Sequence, residues 1–288
     1  MKTRTPFKTA VLAVIWGWMI VFVLLPNLLV LGSSFLERDE LTFVRFNFTL
    51  ENYARLLDPL YGGVMLHSLW MAAVTTAVCL LLGYPFAFAV SRFPARVKPL
   101  LLFLVIVPFW TNSLVRTYAV KLLLSTNGLV NDTLLALGLI DSPLRMLYTE
   151  GAVIAGLVYI LLPFMILPLY AVFEQLRRDL LEASSDLGAN YRQTFRRVVL
   201  PLTLPGIIAG CLLVLLPAMG MFFTADVLGG AKNLLVGNII KNQFLDARDW
   251  PFGAAASLML TIVMALLLFA YYRSVKIIRR RGEHVATA

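Results

Sequence analysis

The sequence contains little charge. Asp, Glu, Lys and Arg make up only 14% of its 288 residues, whereas hydrophobic residues make up 60%. Soluble domains are about half apolar and about a quarter charged, so this composition indicates a protein whose solvent is lipid. The net charge of +9 does not indicate nucleic-acid binding, because most of the basic residues flank apolar runs instead of forming one polar face.

Catalytic and cofactor motifs are also missing. The sequence has no G-x-x-x-x-G-K-[S/T] loop to hold ATP phosphates, no H-E-x-x-H and no G-x-S-x-G, and it has only two histidines. Its two cysteines, Cys79 and Cys211, lie in apolar runs without metal-ligand spacing and are predicted to be packing residues. A membrane enzyme is therefore disfavoured, and we expect no cofactor or metal in this chain.

Ionisable groups are almost absent from the apolar runs, and Arg116 near the end of the third run is the exception. Carriers driven by protons or sodium usually place such coupling groups near the middle of the membrane. The sequence therefore favours an external energy source, and a self-contained secondary carrier or channel is the less favoured alternative.

Six apolar runs approach or reach the length of about 20 residues that a membrane-spanning helix needs. The first exceeds the 7–15 residues of a signal-peptide core, so we interpret it as an uncleaved anchor helix. The sequence predicts an all-α integral membrane protein with six transmembrane helices, and Pro108 within the third permits a kink there. The six helices cover Val11–Leu31, Leu66–Val90, Leu100–Tyr118, Ala152–Phe173, Gly206–Ala225 and Phe252–Tyr272.

The distribution of Lys and Arg predicts the orientation of the chain. If the N-terminus is cytoplasmic, the inner segments 1–10, 91–98, 174–205 and 273–288 hold 16 of the 25 basic residues, and the outer segments hold 7. Basic residues accumulate in cytoplasmic loops. Both termini are therefore predicted to be cytoplasmic, with 174–205 as the longest inner loop.

Apolar residues from Leu176 to Ala189 are predicted to form one stripe on a short helix in this loop. Gly188 suits a turn at the end of that helix. A second helical stretch follows, and Pro201 and Pro205 are expected to end it before the fifth span. Amphipathicity alone leaves two alternatives open, a helix that fits a groove on a partner protein and a helix that rests on lipid.

The spacing of residues in this loop favours the partner protein. Glu182-Ala183-Ser184 is followed after three residues by Gly188, and after nine more by Val198-Val199-Leu200-Pro201. The pattern resembles the signature of ABC-importer permeases, E-A-A-x-x-x-G, nine residues, then I-x-L-P, with Ser184 and Val198 as the two departures. The resemblance implies the type I importer fold and coupling to a cytoplasmic ATPase through Glu182, Ala183, Ser184, Gly188, Leu200 and Pro201.

Further segments resemble the B-type permease subunits of spermidine/putrescine importers. They include 108–113, 159–164, 186–189 and 248–253, together with Asn52-Tyr53 and 56–61 in the first outer loop. The resemblance implies an inner-membrane permease that transports polyamines with a second, homologous permease subunit, two copies of an ATPase that uses the ATP, and a periplasmic polyamine-binding protein. It also implies one permease domain over 1–288, with an extra N-terminal helix at 11–31, a five-helix core at 66–272, a coupling loop at 174–205 and a basic cytoplasmic tail at 273–288.

A path for a flexible polycation needs carboxylates for charge and aromatic faces for cation–π contact. Trp110 and Tyr118 in the third run, Tyr159 in the fourth and Asp226 after the fifth are the candidates. The alternative is that the aromatic residues pack helices together or lie at the membrane interface. A permease of the same architecture for another small solute, such as an anion or a metal chelate, also remains open.

Overall fold

The computed structural model describes residues 6–39 and 41–286, and the side chains of all of these except 6, 7, 178, 232 and 274–286. Helices dominate the described chain. The predicted basic tail continues the last helix as far as Ala286, and residues 287 and 288 lie outside the described part. The helices are α1 Pro6–Met19, α2 Leu25–Ser34, α3 Glu51–Leu56, α4 Pro59–Arg92, α5 Lys98–Ile106, α6 Ser113–Leu124, α7 Leu129–Ala136, α8 Glu150–Glu174, α9 Arg178–Asp186, α10 Tyr191–Thr194, α11 Leu200–Gly220, α12 Phe222–Gly229, α13 Val236–Leu245 and α14 Trp250–Ala286.

Short irregular turns join several of these helices. Widened π turns, Ile20–Leu24 and Phe195–Val199, connect α1 to α2 and α10 to α11, so that each pair is continuous. Tighter 3₁₀ turns follow α5 and α12, at Val107–Trp110 and Gly230–Lys232.

Five uninterrupted helices in the described chain are long and apolar enough to cross a membrane, and one bent pair brings the number of spans to six. The prediction of six spans is thus confirmed when the bent pair counts as one. The five helices are Lys8–Ser34, Pro59–Arg92, Glu150–Glu174, Tyr191–Gly220 and Trp250–Arg273.

The third span is bent at the proline where the sequence permits a kink. Lys98–Trp110 and Ser113–Ala136 meet at an angle of 96°. Pro108, which lacks a backbone N–H, lies in the 3₁₀ turn that ends the first half. Thr111 is extended, and the Asn112 side chain accepts a hydrogen bond from the Leu114 N–H at 2.9 Å, which caps the second half.

The fifth span differs from the prediction. Pro201 and Pro205 do not end a helix, because the helix runs without a break from Tyr191 to Gly220. The π turn Phe195–Val199 ends two residues before Pro201, and its wider backbone accommodates a residue with no N–H to donate. The helix ends instead at Gly220 with Met221 as its C-cap, and α12 follows over Phe222–Gly229.

The chain divides into two compact units. The first comprises the chain up to Gly63 together with Ile239–Ala265. Its N-terminal span has none of its apolar window buried. A two-stranded antiparallel hairpin, β1 Leu36–Glu37 and β2 Arg45–Phe48, follows that span.

The core of the first unit joins α3 to the start of α14. Leu56, Phe252, Ala255 and Ala256 are buried against one another. The Arg55 guanidinium bonds the almost fully buried carboxylate of Asp249 at 2.8 Å and lies 4.2 Å from the centre of the Phe252 ring. This pair anchors the short helix α3 to the last span.

The second unit comprises Val64–Asn238 and Leu266–Ala288. At its centre α8 packs against α11, and glycines lie where the two helices touch. A Cβ at Gly210 would lie 2.7 Å from the Met165 sulfur, and a Cβ at Gly206 would lie 2.7 Å from Val172. The two helices therefore approach more closely than side chains at these positions would allow.

Candidate functional site

The predicted coupling loop forms a helical hairpin of α9 and α10. Helix α9 is only nine residues long and ends in a Schellman motif. The Ala189 N–H donates to the Ser184 carbonyl at 3.0 Å, and the Gly188 N–H donates to the Ser185 carbonyl at 2.9 Å. Gly188 has a φ of +76°, a conformation that glycine adopts without strain, which confirms the turn predicted there.

A capping box begins the second arm of the hairpin. The Asn190 side chain accepts from the Gln193 N–H at 3.0 Å, and the Gln193 side chain accepts from the Asn190 N–H at 2.9 Å. The Ser184 hydroxyl lies 3.0 Å from the Thr194 hydroxyl and links the two arms. Ser184, which occupies the position of the second Ala in the ABC-permease signature, thus forms a hydrogen bond across the hairpin.

The predicted coupling residues do not all face the same way. Glu182, Ala183 and Gly188 are exposed, whereas Ser184 is buried and faces Thr194. The apolar residues predicted to form one stripe differ in exposure. Leu176 precedes the helix, Leu181 and Ala189 are half-buried, and Leu180 and Leu187 are exposed. At the start of α11, Leu200 is half-buried and Pro201 is exposed.

Ion pairs brace the entry to the hairpin. Lys98 binds both carboxylate oxygens of Glu174, each at 2.9 Å. The Arg177 guanidinium bonds the Asp179 carboxylate and holds its pKa below the ordinary value. The exposed acids Glu182 and Asp186 follow on α9, so the surface that the hairpin presents combines exposed leucines with carboxylates.

The candidate substrate-path residues lie on several helices. Trp110 is 74% exposed at the break of the third span, where its ring packs edge-on against Phe103. Tyr118 lies edge-on to Phe223 at 6.0 Å between ring centres, which brings it close to the helix that carries Asp226. Tyr159 is partly exposed on α8, and within the described residues no ring contact joins Trp110 or Tyr159 to the other candidates.

Asp226 is half-buried on α12, where the Asn238 side chain donates a hydrogen bond to it. Asn238 is fully buried, and it also donates to the Phe222 carbonyl at 3.0 Å and accepts from the Leu235 N–H at 2.9 Å. The carboxylate is thus oriented by an amide. Lys232 is the basic residue nearest to Asp226 in the sequence and would be its alternative ion-pair partner, and its side chain lies outside the described residues.

Two hydrogen-bond partners in these sites were not predicted from the sequence. Thr194 and Asn238 follow Ser184 and Asp226 by ten and twelve residues, and no local pattern links residues that far apart. The capping box could have been predicted, because Asn190 followed three residues later by Gln193 is a recognised signature of a helix start.

The geometry defines a class of protein: a multi-span permease with a helical hairpin between its fourth and fifth spans and no ATP-binding loop in its sequence. The family of binding-protein-dependent transport system inner membrane components matches residues 79–283. The chain belongs to this family, so it is a transport subunit of the bacterial inner membrane and not an enzyme. Membership implies that an ATPase and a binding protein are its partners.

Curated relatives cover almost the whole chain. It is 60% identical over 267 residues to the spermidine/putrescine transport system permease protein PotB of Escherichia coli strain K12, with 93% of this chain and 97% of that protein covered. It is 58% identical over 286 residues to the protein of the same name from Salmonella typhimurium strain SL1344, with 99% and 100% covered.

Solved structures share the fold. A chain of a bacterial alginate ABC transporter in complex with an alginate-bound periplasmic protein superposes with a TM-score of 0.77 at 16% identity, covering 94% of this chain and 95% of that one. A chain of the MetNI methionine ABC transporter superposes with a TM-score of 0.54 at 20% identity, covering 78% and 98%. These similarities place the chain in the type I importer permease fold.

Proposed function

We propose that this chain is a permease subunit of an ATP-driven importer that carries polyamines of the spermidine and putrescine class across the inner membrane. The observation that carries the proposal is the identity of 58–60% to relatives named for spermidine/putrescine transport, over nearly the full length of both chains. The half-buried carboxylate of Asp226, with the aromatic ring of Phe223 on the same helix, supports a cationic substrate.

The partners of this importer are a second, homologous permease, two copies of a cytoplasmic ATPase and a periplasmic polyamine-binding protein. ATP is bound and hydrolysed by the ATPase, and this chain holds no cofactor. The α9–α10 hairpin couples ATP hydrolysis by the ATPase to polyamine transport by the permease. Glu182, Ala183 and Gly188 present its contact surface, Ser184 holds its two arms together, and Leu200 and Pro201 transmit its position to the fifth span.

Trp110, Tyr118, Tyr159 and Asp226 line the polyamine path in this proposal. Asp226 provides charge, and the aromatic residues provide faces for ammonium groups. Their partial exposure on the described chain leaves these side chains accessible to a substrate or to the second permease.

Reconstitution tests the proposal. The chain is co-expressed with the second permease, the ATPase and the binding protein, purified, and placed in proteoliposomes with labelled putrescine or spermidine. We expect uptake that requires both ATP and the binding protein and that an excess of unlabelled polyamine suppresses. ATP-dependent uptake of an anion or a metal chelate in place of polyamine would establish the alternative substrate class, and uptake without the ATPase would establish a self-contained carrier.

A further inference from the structure

A groove of about 430 Å³ lies between the coupling hairpin and the second span. Its size falls within the range of about 300–1,000 Å³ that is usual for small-molecule sites. One wall is the end of α4, with Tyr84, Phe88 and Arg92. The opposite wall is the hairpin and the π turn that follows it, with Leu181 and Phe195.

The lining of this groove is mainly apolar and aromatic. Phe195 lies edge-on to Tyr84 at 6.0 Å between ring centres, and Tyr84 is held in place by a hydrogen bond of 3.0 Å to Thr203. Phe88 packs against Phe173 of α8, with 5.4 Å between the ring centres. Ordered rings therefore form the walls, and a flexible hydrocarbon chain is the kind of ligand that such walls accommodate.

One end of the groove carries an arginine without a carboxylate partner. The Arg92 guanidinium lies 5.0 Å from the centre of the Phe88 ring, and among the described residues it forms no ion pair. Glu174, which shares a neighbouring polar cavity with Arg92, is occupied by Lys98. The exposed Arg196 and Arg197, on the π turn that forms the opposite wall, add positive charge to the same region.

The groove lies where the membrane boundary is expected. Arg92 is the last residue of the span Pro59–Arg92, and the π turn belongs to the start of the span Tyr191–Gly220. Both ends lie on the side that the basic loops predict to be cytoplasmic. An apolar groove that ends in an arginine at this depth matches a lipid whose acyl chains lie in the membrane and whose headgroup lies at its surface.

We propose that this groove binds an anionic phospholipid of the cytoplasmic leaflet, with the phosphate at Arg92 and an acyl chain between Phe88 and Phe195. Basic pockets between helices on the cytoplasmic side suit such headgroups. A polyamine does not fit, because Arg92 repels it. The bound lipid touches both the hairpin and the second span, so it braces the coupling hairpin against the membrane.

The test measures retained lipid and does not depend on the identity of the transported substrate. The full-length chain is placed in nanodiscs of phosphatidylcholine that contain phosphatidylglycerol, and the lipids that remain bound are identified by native mass spectrometry. We expect selective retention of phosphatidylglycerol. Arg92→Gln should lower it about fivefold, the size expected for one basic residue near an anionic lipid surface, and Arg92→Lys should restore it.

Arg96→Gln is the matched control, because Arg96 is an exposed base near Arg92 that does not line the groove. It should retain phosphatidylglycerol at the level of the unmodified chain. Equal retention of the two lipids, or an equal loss in Arg92→Gln and Arg96→Gln, would overturn the proposal. In cells, a benzophenone amino acid in place of Phe195 should crosslink to phospholipid, and a crosslink to the ATPase instead would assign the groove to a protein partner.

Discussion

The hydroxyl groups of Ser184 and Thr194 lie 3.0 Å apart and connect the two arms of the coupling hairpin. Ser184 donates its proton to the Leu181 carbonyl at 2.8 Å, so in the pair with Thr194 it accepts the hydrogen bond. Ser184→Ala leaves the Thr194 hydroxyl without this partner, at a cost of about 1 kcal/mol. We expect about fivefold faster hydrogen exchange of the amides at 187–194, with transport retained because the ABC-permease signature has Ala here. Ser185→Ala is the control, because Ser185 bonds only within its own helix; equal exchange in the two variants would contradict the role of Ser184.

Gly188 is constrained by its backbone conformation and not by space, since no atom lies within 4 Å of the position of a Cβ. Gly188→Ala should cost about 1–2 kcal/mol in the left-handed region and shift the Schellman turn. Gly188→Trp should additionally obstruct the contact surface. We expect both variants to insert in the membrane, with reduced uptake in the first and lost uptake and ATPase association in the second. Gly138→Ala is the matched control, because Gly138 has a φ of +65° in equally open space outside the hairpin. Normal uptake and ATPase co-purification in Gly188→Trp would remove the hairpin from coupling.

The orientation of the chain remains a prediction, and cysteine labelling can measure it. Asn127 and Leu187 are both exposed, so neither site needs a structural change to accept a probe. In sealed cells an impermeant maleimide should label Asn127→Cys and should not label Leu187→Cys until the membrane is opened. Cys79 is buried and Cys211 half-buried, so we expect them to add little background. Labelling of Leu187→Cys in intact cells would reverse the predicted topology.

Asp226→Asn keeps the shape of the side chain and removes its charge. One close ion pair with an ammonium contributes up to about 4 kcal/mol before desolvation at an effective dielectric constant near 20. We expect polyamine uptake to fall about ten- to hundredfold in efficiency, with assembly intact and the ATPase activity still measurable. Asn238→Ala separates the orientation of the carboxylate from its charge, because this variant removes the amide that orients Asp226 and keeps the charge of Asp226. Unchanged uptake kinetics in Asp226→Asn would remove this residue from the substrate path.

Gly237 lies against the break in the fifth span. A Cβ at this position would lie 2.5 Å from the Gly220 carbonyl oxygen, a backbone atom that cannot rotate away. Gly237→Ala should therefore lower the stability of the purified protein by about 1–3 kcal/mol, as overpacking does, and reduce its melting temperature. Gly63→Ala has open space on α4 and should be neutral or slightly stabilising. Similar melting temperatures for the two variants would contradict this prediction and would show that the backbone at the break shifts to accommodate an added methyl group.

The number of spans was predictable because it depends on the length and polarity of apolar runs. A kink at Pro108 was also predictable, but the bend of 96° was not, because the run stays apolar on both sides of the proline. The prediction that Pro201 ends a helix was wrong, because a widened π turn precedes it and the helix continues.

The loop signature identified the predicted coupling residues along the chain, but it could not say which of them are exposed to a partner. That depends on the length of α9 and on the angle at Gly188, which together turn Ser184 inward and leave Glu182 exposed. Asp226 was likewise identifiable as a carboxylate beside aromatic residues, whereas its orientation depends on Asn238 from the following helix.

The bend in the third span has a consequence for the lipid around it. The segment Lys98–Trp110 has a length of about 20 Å at about 1.5 Å per residue, whereas the hydrocarbon layer is about 30 Å thick. After a turn of 96°, the second segment runs nearly parallel to the membrane when the first stands upright. A span that is too short is accommodated by local thinning of the bilayer, so we expect a hydrated depression in the outer leaflet beside Trp110. A polar solute that enters there has less hydrocarbon to cross than it would elsewhere on the membrane.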